Sequence, residues 1–397
     1  MSFKIKLQRT VTGELASDIE KESCFVSPHL SRLKVIESGK AVEVEVADQQ
    51  DDGEVREKVE RFLEVMLKRV HKFENMIYFR GERSDRGPIT VDAEAELSRR
   101  RWLFDYGEGQ VALAGPALAL AQMIDAKAAE LYQRSFSPVG GMFPAFINSE
   151  MLARCGYFEN HPNAVTMVAH LVEDFDVIEN FRKGNYGSDA SKLPHKEHLH
   201  LPGLCLNPAA CFPCYPTLSG QKLPPSGHSV SWQGRVFRYE SRNISGLERL
   251  WEFNVRELVF FGSSETVEEC RRAGVEAIGE LAAFFDLDVR IETANDPFFA
   301  TVAAAKTFFQ RTQQVKSEIR MPVGPGKGGQ PHMIACGSVN VHGDYFGTRF
   351  DIGLEGGGAA HSGCIGLGIE RLVLAAFAQH DFDPDRWPGP VRKVLFG

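Results

Sequence analysis

One short segment, HSGCIGLGIERLVLAAFA at residues 361–378, sets the strongest limit on how this chain can fold. Its first half has the pattern of a strand that contains three glycines, Gly363, Gly366 and Gly368. A strand with so few side chains lets another group approach its backbone closely. A helix is predicted to begin near Ile369, with Glu370 and Arg371 in its first turn, where a positive charge opposes the helix dipole. A phosphate partner would explain that arginine, and a tight turn with a surface arginine is the alternative.

A second polar segment, residues 236–262, is predicted to form a long hairpin in which two strand-like ends enclose a loop. The candidate binding residues here are Arg238, Glu240, Arg249, Phe253 and Glu257. Arg238 and Glu240 are two residues apart and would share one face of a strand, as would Phe253 and Glu257. Guanidinium groups bind phosphate, a phenyl ring stacks on a base, and a carboxylate accepts from an exocyclic amine. The hairpin therefore suits a nucleotide, although a charged and solvated hairpin remains the alternative.

The order of predicted elements indicates an α+β fold in which an antiparallel sheet is flanked by helices. Strand-like runs lie at residues 235–240, 258–261, 289–293, 319–323, 333–341 and 348–352, and helices are predicted at 117–132, 267–285 and 369–379. Few helices alternate with the strands, which argues against a parallel sheet.

The first 95 residues are predicted to form a separate small α/β domain, and residues 96–397 the larger catalytic domain. Residues 40–48 alternate apolar and charged side chains as a half-buried strand does, and residues 51–73 have helical spacing. Asp51 or Asp52 is predicted to cap that helix. The polar segment 81–96, which contains glycine and proline, is predicted to be a linker.

The chain has 397 residues and a formal net charge of −8, which argues against a large RNA-binding surface. It contains no run of about 18 apolar residues, so no membrane segment is expected. The first residues, MSFKIKLQRTVTGE, lack the apolar core of a signal peptide, and a cytoplasmic protein is therefore expected. Its eight cysteines are then expected to be thiols, core residues or metal ligands.

One region concentrates potential metal ligands, and spacing alone would select it as a zinc site. The candidates are His195, His198, His200, Cys205, Cys211 and Cys214. Only one Cys-x-x-Cys pair is present, and the proline-rich turn before it makes it harder for the side chains to converge. This compact cluster is kept as an alternative.

Taken together, FRYE at residues 237–240 and GLGIER at residues 366–371 resemble motifs 2 and 3 of class II aminoacyl-tRNA synthetases. GGMFPAF is similar to motif 1, with Pro144 at a homodimer interface. The resemblance implies that Arg238 holds the α-phosphate of ATP and that Glu240 binds the adenine amine. It also implies that Phe253 stacks on adenine, while Arg249 and Arg371 hold the terminal phosphates.

Four further segments narrow the resemblance: residues 153–163, 206–216, 294–299 and the tail from residue 383. They are similar to the zinc-dependent seryl-tRNA synthetases of methanogens and to the related amino acid:[carrier protein] ligases. Residue by residue, the resemblance implies zinc ligation by Cys211, Glu257 and Cys364, with the metal holding the α-amino group of a small amino acid such as glycine, alanine or serine. It covers residues 100–397 and leaves the first 95 without a counterpart.

Two departures from the family pattern bear on the expected chemistry. Ordinary seryl enzymes carry a glutamate that helps to hold Mg²⁺ three residues before a Ser-x-Asn strand, where this chain has Ala335. Mg²⁺ is still expected with ATP, but its ligands are open, and Asn340 is predicted to contact the amino acid. The loop SGLERLWEF is close in length to that of the methanogenic enzymes, which leaves tRNA charging open.

The resemblance therefore implies ATP-dependent formation of an aminoacyl-adenylate and transfer to the phosphopantetheine thiol of a carrier protein. The alternatives are an atypical seryl-tRNA synthetase and an inactive regulatory paralogue. In the ligases an inserted helix contacts the carrier. Here residues 172–184 are predicted to form that helix, with basic side chains that suit an acidic carrier, namely Arg182, Lys183, Lys192 and Lys196. A surface helix that covers the core is the alternative.

Overall fold

The computed structural model describes residues 2–47, 52–68, 76–85, 87–184, 198–293, 316–326 and 329–397. The strands are β1 (Ser2–Lys6), β2 (Leu30–Ile36), β3 (Ala41–Val46), β4 (Ile77–Gly81), β5 (Leu103–Gly107), β6 (Gln110–Leu113), β7 (Val139–Gly140), β8 (Phe146–Asn148), β9 (His170–Leu171), β10 (Leu199–His200), β11 (Leu204–Leu206), β12 (Lys222–Leu223), β13 (His228–Phe237), β14 (Glu252–Gly262), β15 (Val289–Thr293), β16 (Lys316–Pro325), β17 (Pro331–Gly343), β18 (Gly353–Leu354) and β19 (His361–Gly368). The helices are α1 (Gly13–Glu22), α2 (Asp52–Lys68), α3 (Ala93–Arg99), α4 (Gly115–Phe136), α5 (Ser149–Arg154), α6 (Tyr157–Asn160), α7 (Phe175–Lys183), α8 (Cys214–Thr217), α9 (Ser264–Phe285), α10 (Tyr345–Phe350), α11 (Ile369–His380) and α12 (Gly389–Phe396).

A sheet of eight strands, in the order β4-β15-β16-β17-β19-β14-β13-β7, forms the centre of the larger part of the chain. Its strand pairs are antiparallel except for the short parallel pair of β13 with β7. Helices α4, α9 and α11 pack on this sheet and share its main apolar core. The predicted α+β class, with an antiparallel sheet flanked by helices, is thereby confirmed.

Strand β14 shows how one sequence supplies both faces of this sheet. Leu258 and Phe260 belong to the core beneath the helices, whereas Val259 and Phe261 belong to a second apolar cluster on the other side. Because side chains alternate along a strand, Glu257 lies on the same side as Val259. The helix layer thus covers one face of β14 and leaves the other face to build a site.

The N-terminal residues form a small unit of their own. Strands β1, β2 and β3 make an antiparallel sheet in the order β1-β3-β2, and α1 and α2 contribute to its apolar core. The strand predicted at residues 40–48 is β3. The helix predicted at residues 51–73 is α2, and the last residues of that prediction lie outside the described part of the chain.

The predicted linker at residues 81–96 is wrong over its first residues. Strand β4 pairs with β15 at the edge of the large sheet, on the other side of the predicted domain boundary at residue 95. Arg83, which follows directly, is buried, and its Nε lies 3.2 Å from Asp288 Oδ2. Polar composition misled the prediction, because this arginine is neutralised by a distant aspartate inside the fold.

Residues 348–352, predicted as a strand, instead lie in and after helix α10. Phe346 and Phe350 are four residues apart, and both are buried in the second apolar cluster. Gly347 lies against the backbone of Ala360, where an added Cβ would be 2.0 Å from the carbonyl oxygen. This close approach and the helical spacing of the two rings outweigh the short strand-like pattern. Across the described ranges, no helix combines the length and apolar character that a membrane crossing requires.

Candidate active site

Glu257 is placed at the centre of the sheet by its register on β14. It lies opposite Trp232 of β13 and Gly366 of β19. A Cβ at residue 366 would lie 2.9 Å from Glu257 Oε2, so the glycine leaves the space that the carboxylate occupies. The glycine-rich strand therefore accommodates a buried side chain of its own neighbour, which the sequence alone did not indicate.

Two thiols complete a compact cluster around this carboxylate. Cys364 is on β19, and Cys211 is on the turn that follows β11, where the amide of Cys214 donates to the Cys211 carbonyl over 3.1 Å. One ligating atom from each of Cys211, Glu257 and Cys364 lies within 4.8 Å of the other two, and all three residues are buried. Residues far apart in the sequence are thus brought to one point.

The three side chains form a set of acids that resist ionisation. Burial raises the pKa of Glu257 well above its usual range, and the adjacent Cys364 raises it further. Its hydrogen bond with Cys211, together with burial, raises the pKa of Cys364. A cation would stabilise their deprotonated forms, and two thiolates with one carboxylate are a donor set that Zn²⁺ accepts. The residues present therefore fit a zinc ion that keeps a fourth position open.

The alternative cysteine–histidine cluster is not assembled in the described residues. Cys214 lies in the same apolar cluster as Cys211 and Cys364 but is not part of their group of converging ligand atoms, and burial raises its pKa to about 12. Cys205 pairs with Ile147 in a small sheet, while His200 is exposed on β10. His195 lies outside the described residues.

Asn340 and His342 flank the thiol cluster from β17. Asn340 Nδ2 donates to Ser338 Oγ over 3.0 Å and lies 3.4 Å from Cys364 Sγ. His342 Nε2 lies 3.7 Å from the same sulfur, while its Nδ1 lies 3.2 Å from Ser362 Oγ. Burial lowers the pKa of His342 to about 4, so the ring is neutral at neutral pH. The sequence analysis missed His342, although its two-residue spacing from Asn340 on a strand was available.

Arg238 connects this cluster to the predicted nucleotide residues. Its Nε donates to the Pro208 carbonyl over 2.9 Å, three residues before Cys211. Its guanidinium carbon lies 5.7 Å from the centre of the Phe253 ring. Phe253 and Glu257 share one face of β14, as predicted. The structure therefore brings the aromatic ring, the guanidinium and the cysteine–glutamate cluster to one side of the sheet.

The expectation that Arg238 and Glu240 share a strand face is wrong. Strand β13 ends at Phe237, and Glu240 leads into the turn Ser241–Asn243, where Ser241 has a φ of +52°. The Glu240 carboxylate pairs instead with Arg249, whose backbone exchanges two hydrogen bonds with Ser245. The polar loop closes on itself and so ends the strand earlier than the spacing predicted.

Arg371 lies in the first turn of α11, as predicted, and its Nη1 donates to the Ala335 carbonyl over 2.7 Å. Burial lowers its pKa, and Arg249 and Arg238 act in the same direction. The preceding Glu370 accepts three hydrogen bonds from the backbone and side chain of Asn254, the shortest of 2.7 Å. This connection fixes the start of the helix against β14 and so directs Arg371 towards the other arginines.

Two further basic residues near Arg238 escaped the sequence analysis. Burial lowers the pKa of Lys316 to about 8, although Glu318 opposes the shift. Burial also lowers the pKa of His161 to about 3, with Arg238 and Lys316 acting in the same direction. Lys316 thus adds to the positive charge of Arg238, whereas His161 is neutral at neutral pH, and positive charge beside an aromatic ring suits an anionic ligand. His161 lies in the segment 153–163 that carried the resemblance, and that segment was the available signal.

No family profile matches the chain. It is 33% identical over 257 residues to an amino acid–[acyl-carrier-protein] ligase of Bradyrhizobium diazoefficiens, an alignment that covers 64% of this chain and 73% of that one. It is 28% identical over 311 residues to the type-2 serine–tRNA ligase of Methanopyrus kandleri, covering 76% of this chain. The chain spans only 59% of the length of that methanogen enzyme.

The solved structures agree on the fold. The Methanopyrus kandleri seryl-tRNA synthetase, solved in complex with a tRNA from A. aeolicus, superposes with a TM-score of 0.73 at 24% identity and covers 99% of this chain and 77% of its own. The cytoplasmic serine–tRNA ligase of Naegleria fowleri, solved with AMP, gives 0.60 at 11% identity, with 86% and 71% covered. The sheet and the sequence identity agree, and this chain belongs to the class II synthetase-like family of the amino acid–[acyl-carrier-protein] ligases, to which the type-2 serine–tRNA ligases are related.

Proposed function

We propose that this protein activates a small amino acid with ATP to an aminoacyl-adenylate and transfers it to the phosphopantetheine thiol of a carrier protein. The observation that carries the proposal is the arrangement on one side of the sheet. A buried cluster of Cys211, Glu257 and Cys364 lies beside Arg238, which also contacts Phe253. The cysteine–glutamate cluster suits a metal ion that holds an amino group, and Arg238 with Phe253 suits a nucleotide.

We infer that Cys211, Glu257 and Cys364 hold Zn²⁺, because the donor set and its burial match a catalytic zinc site. Bound there, the metal supplies one open position for a neutral α-amine. Asn340, whose amide lies beside Cys364, is positioned to contact the same amino acid. N-acetylated amino acids would then be rejected. The preference for glycine, alanine or serine rests on the family resemblance.

In the activation step an oxygen of the amino-acid carboxylate attacks the α-phosphorus of ATP, the bond to the bridging oxygen breaks, and pyrophosphate leaves. No side chain of the protein needs to accept a proton. We assign the α-phosphate to Arg238, adenine stacking to Phe253, the adenine amine to Glu240, and the terminal phosphates to Arg249 and Arg371. Catalysis is then positioning and charge stabilisation, with Mg²⁺ accompanying the nucleotide.

Carrier transfer is favoured over tRNA charging by two observations. Identity is higher with the carrier-protein ligase, at 33% against 28%, and the chain has a net charge of −8.

Helix α7, the proposed carrier contact, has no buried residue and presents Phe175 and Ile178 with 77% and 48% of their surface exposed. Arg182 and Lys183 lie at its end and pair with Glu179, whereas Lys192 and Lys196 lie outside the described residues.

We also propose a homodimer that forms through the motif 1 region. The segment after β7, at the edge of the large sheet, exposes 98% of Met142 and 48% of Phe146, and Pro144 between them is exposed. A sheet edge beside apolar side chains is a surface that proteins usually cover. Light scattering of the purified protein should give twice the chain mass, and Met142→Glu should shift it towards the monomer.

The decisive experiment offers labelled glycine, alanine and serine with ATP to a holo carrier protein and to tRNA in parallel. Label is expected on the holo carrier and absent from the apo carrier, which lacks the thiol. The reversal Arg182→Glu with Lys183→Glu should slow transfer at low salt but leave pyrophosphate exchange unchanged. Charging of tRNA with no labelled carrier would replace this proposal by the synthetase. Absence of exchange with every amino acid would favour the inactive paralogue.

A further inference from the structure

The small N-terminal unit contacts the loop that carries Glu240, proposed to bind the adenine amine, and Arg249. Asn243 Nδ2 donates to the Lys21 carbonyl over 2.9 Å and lies 3.2 Å from Cys24 Sγ. Arg242 Nη1 donates to the Ser31 carbonyl over 2.9 Å. These contacts, called here the loop contact, join the last turn of α1, Cys24 just after it and the start of β2 to a turn of the catalytic part.

The turn held by the loop contact lies directly next to Glu240 in the chain. Residues Ser241–Asn243 follow Glu240 without a spacer, so a displacement of the turn would move the Glu240 carboxylate. Ser241 has a φ of +52°, a backbone conformation that a non-glycine residue keeps only when its surroundings hold it. The two side chains of the loop contact belong to the same turn and connect it to the N-terminal unit.

The other end of the loop is held from within the catalytic part. The amide of Leu247 donates to Glu94 Oε2 over 2.9 Å, and Glu248 lies 2.9 Å from His332 Nε2. Arg249 is therefore positioned by α3 and β17, whereas the loop contact connects the Glu240 end to the N-terminal unit. The two partners of the Glu240–Arg249 ion pair thus depend on different parts of the chain.

We propose that the N-terminal unit is a positioning element for the nucleotide, in which Arg242 and Asn243 fix the turn that sets Glu240. The inference rests on the proposed use of ATP by this site. It gives the first 68 residues a role in nucleotide affinity that is separate from recognition of the acceptor. The donors belong to the loop and the acceptors are backbone carbonyls, so the unit acts through its fold.

The test uses the full-length protein and removes the donors without shortening the loop. Asn243→Asp has the same shape but places a carboxylate against the Lys21 carbonyl. Arg242→Ala removes the second donor, while Arg242→Lys retains one. Arg32→Ala, one residue from Ser31, removes an equal charge and is the matched control. Initial rates of pyrophosphate exchange give KM for ATP, KM for the amino acid and kcat, and hydrogen–deuterium exchange follows residues 21–31 and 240–249.

Asn243→Asp is expected to raise KM for ATP about 5- to 20-fold, and Arg242→Ala about 3- to 10-fold, the scale of one or two lost hydrogen bonds. Amino-acid KM, kcat and zinc content should stay near wild type, and Arg242→Lys should recover most of the affinity. Deuterium uptake should increase on both sides of the contact.

Three results would overturn the inference. Increased deuterium uptake with KM for ATP within twofold of wild type would make the contact purely structural, as would a parallel loss of all parameters with a lower melting temperature. Unchanged uptake in Asn243→Asp would mean that the contact is not made. If the wild type performs no exchange, the proposed function fails separately, and calorimetric binding of a non-hydrolysable ATP analogue to the same variants then decides this inference.

Discussion

The two halves of the site are built in different ways. The metal half takes Glu257 and Cys364 from neighbouring central strands, and its donor atoms are buried and already close together. The nucleotide half takes Glu240 and Arg249 from a loop, where they pair with each other. In the proposed function, nucleotide binding would separate that pair, whereas the cysteine–glutamate cluster would need only to lose protons to bind a metal. The sheet thus preorganises one half, and the other must exchange internal contacts for those of its ligand.

The largest expected effect is loss of the metal half. Cys364→Ala should abolish binding of about one zinc per chain and reduce pyrophosphate exchange to background, because a catalytic zinc site needs three protein ligands and only two would remain. Zinc is measured by mass spectrometry of the purified protein. Cys214→Ala, which removes a buried thiol from the same apolar cluster, is the matched control and should keep its zinc. Zinc retained in Cys364→Ala but lost in Cys214→Ala would contradict zinc ligation by Cys364 and move the metal site to Cys214.

Arg371 tests the nucleotide half. Arg371→Ala should lower the exchange rate by about 10² to 10³, the scale for losing one charge-stabilising donor in a transition state. Arg238→Ala should give a similar loss. Zinc content should not change, because neither arginine is a metal ligand.

The control for these variants is Arg392→Ala, which removes an exposed guanidinium remote from the site. Arg371 donates to the Ala335 carbonyl, so melting temperatures should be compared before rates are interpreted. A loss below about threefold in a well-folded protein is too small for a charge-stabilising donor and would contradict the phosphate role.

His342 tests whether the metal half depends on a second layer of contacts. Its Nε2 lies 3.7 Å from Cys364 Sγ, and a zinc-bound thiolate can only accept a hydrogen bond. His342→Phe should therefore weaken zinc binding by about 10- to 100-fold, the range for outer partners of metal ligands. Competition with a chelator measures this affinity, and Tyr345→Phe, in the same apolar cluster, is the control. Equal zinc affinity in His342→Phe and Tyr345→Phe would mean that His342 does not contribute to zinc binding beyond the three ligands.

The smallest effect concerns the pH dependence of stability in zinc-free protein. Burial raises the folded pKa of Glu257 above its unfolded value, so the carboxyl stabilises the fold below its ordinary pKa of about 4.5 and loses that contribution as pH rises towards the folded value. Zinc displaces the protons and binds more tightly as pH rises. The difference in melting temperature between zinc-loaded and chelator-treated protein should thus widen from about pH 6 to pH 8. A constant difference would show that the cluster is already ionised without metal.

Residue patterns along the sequence predicted those features that neighbouring residues determine, such as strand faces and helix starts. The alternation of β14 placed Phe253 and Glu257 on one face, and the glycine-rich strand ran into a helix at Ile369. Residues that met across the sheet needed more information. Cys211, Glu257 and Cys364 were selected by resemblance, because nothing in their spacing indicates that they converge.

The errors arose where tertiary contacts outweighed local signals. Glu240 left the strand because the loop closes through Arg249. Residues 348–350 are helical, and the strand predicted over 348–352 is absent, because Phe346 and Phe350 are buried together. Lys316 was missed because its place beside Arg238 depends on how β16 is registered against β17, and no sequence pattern states that register.

A substitution at Gly366 would change the proposed metal site without disturbing the fold. The atom that a new methyl group would meet is the end of the flexible Glu257 side chain, 2.9 Å away, with Val255 Cγ1 at an ordinary 3.5 Å. Gly366→Ala would therefore push a ligand aside while the strands stay paired. For protein engineers, one methyl group would yield a folded scaffold with an altered coordination chamber, into which a larger or softer ion could be selected.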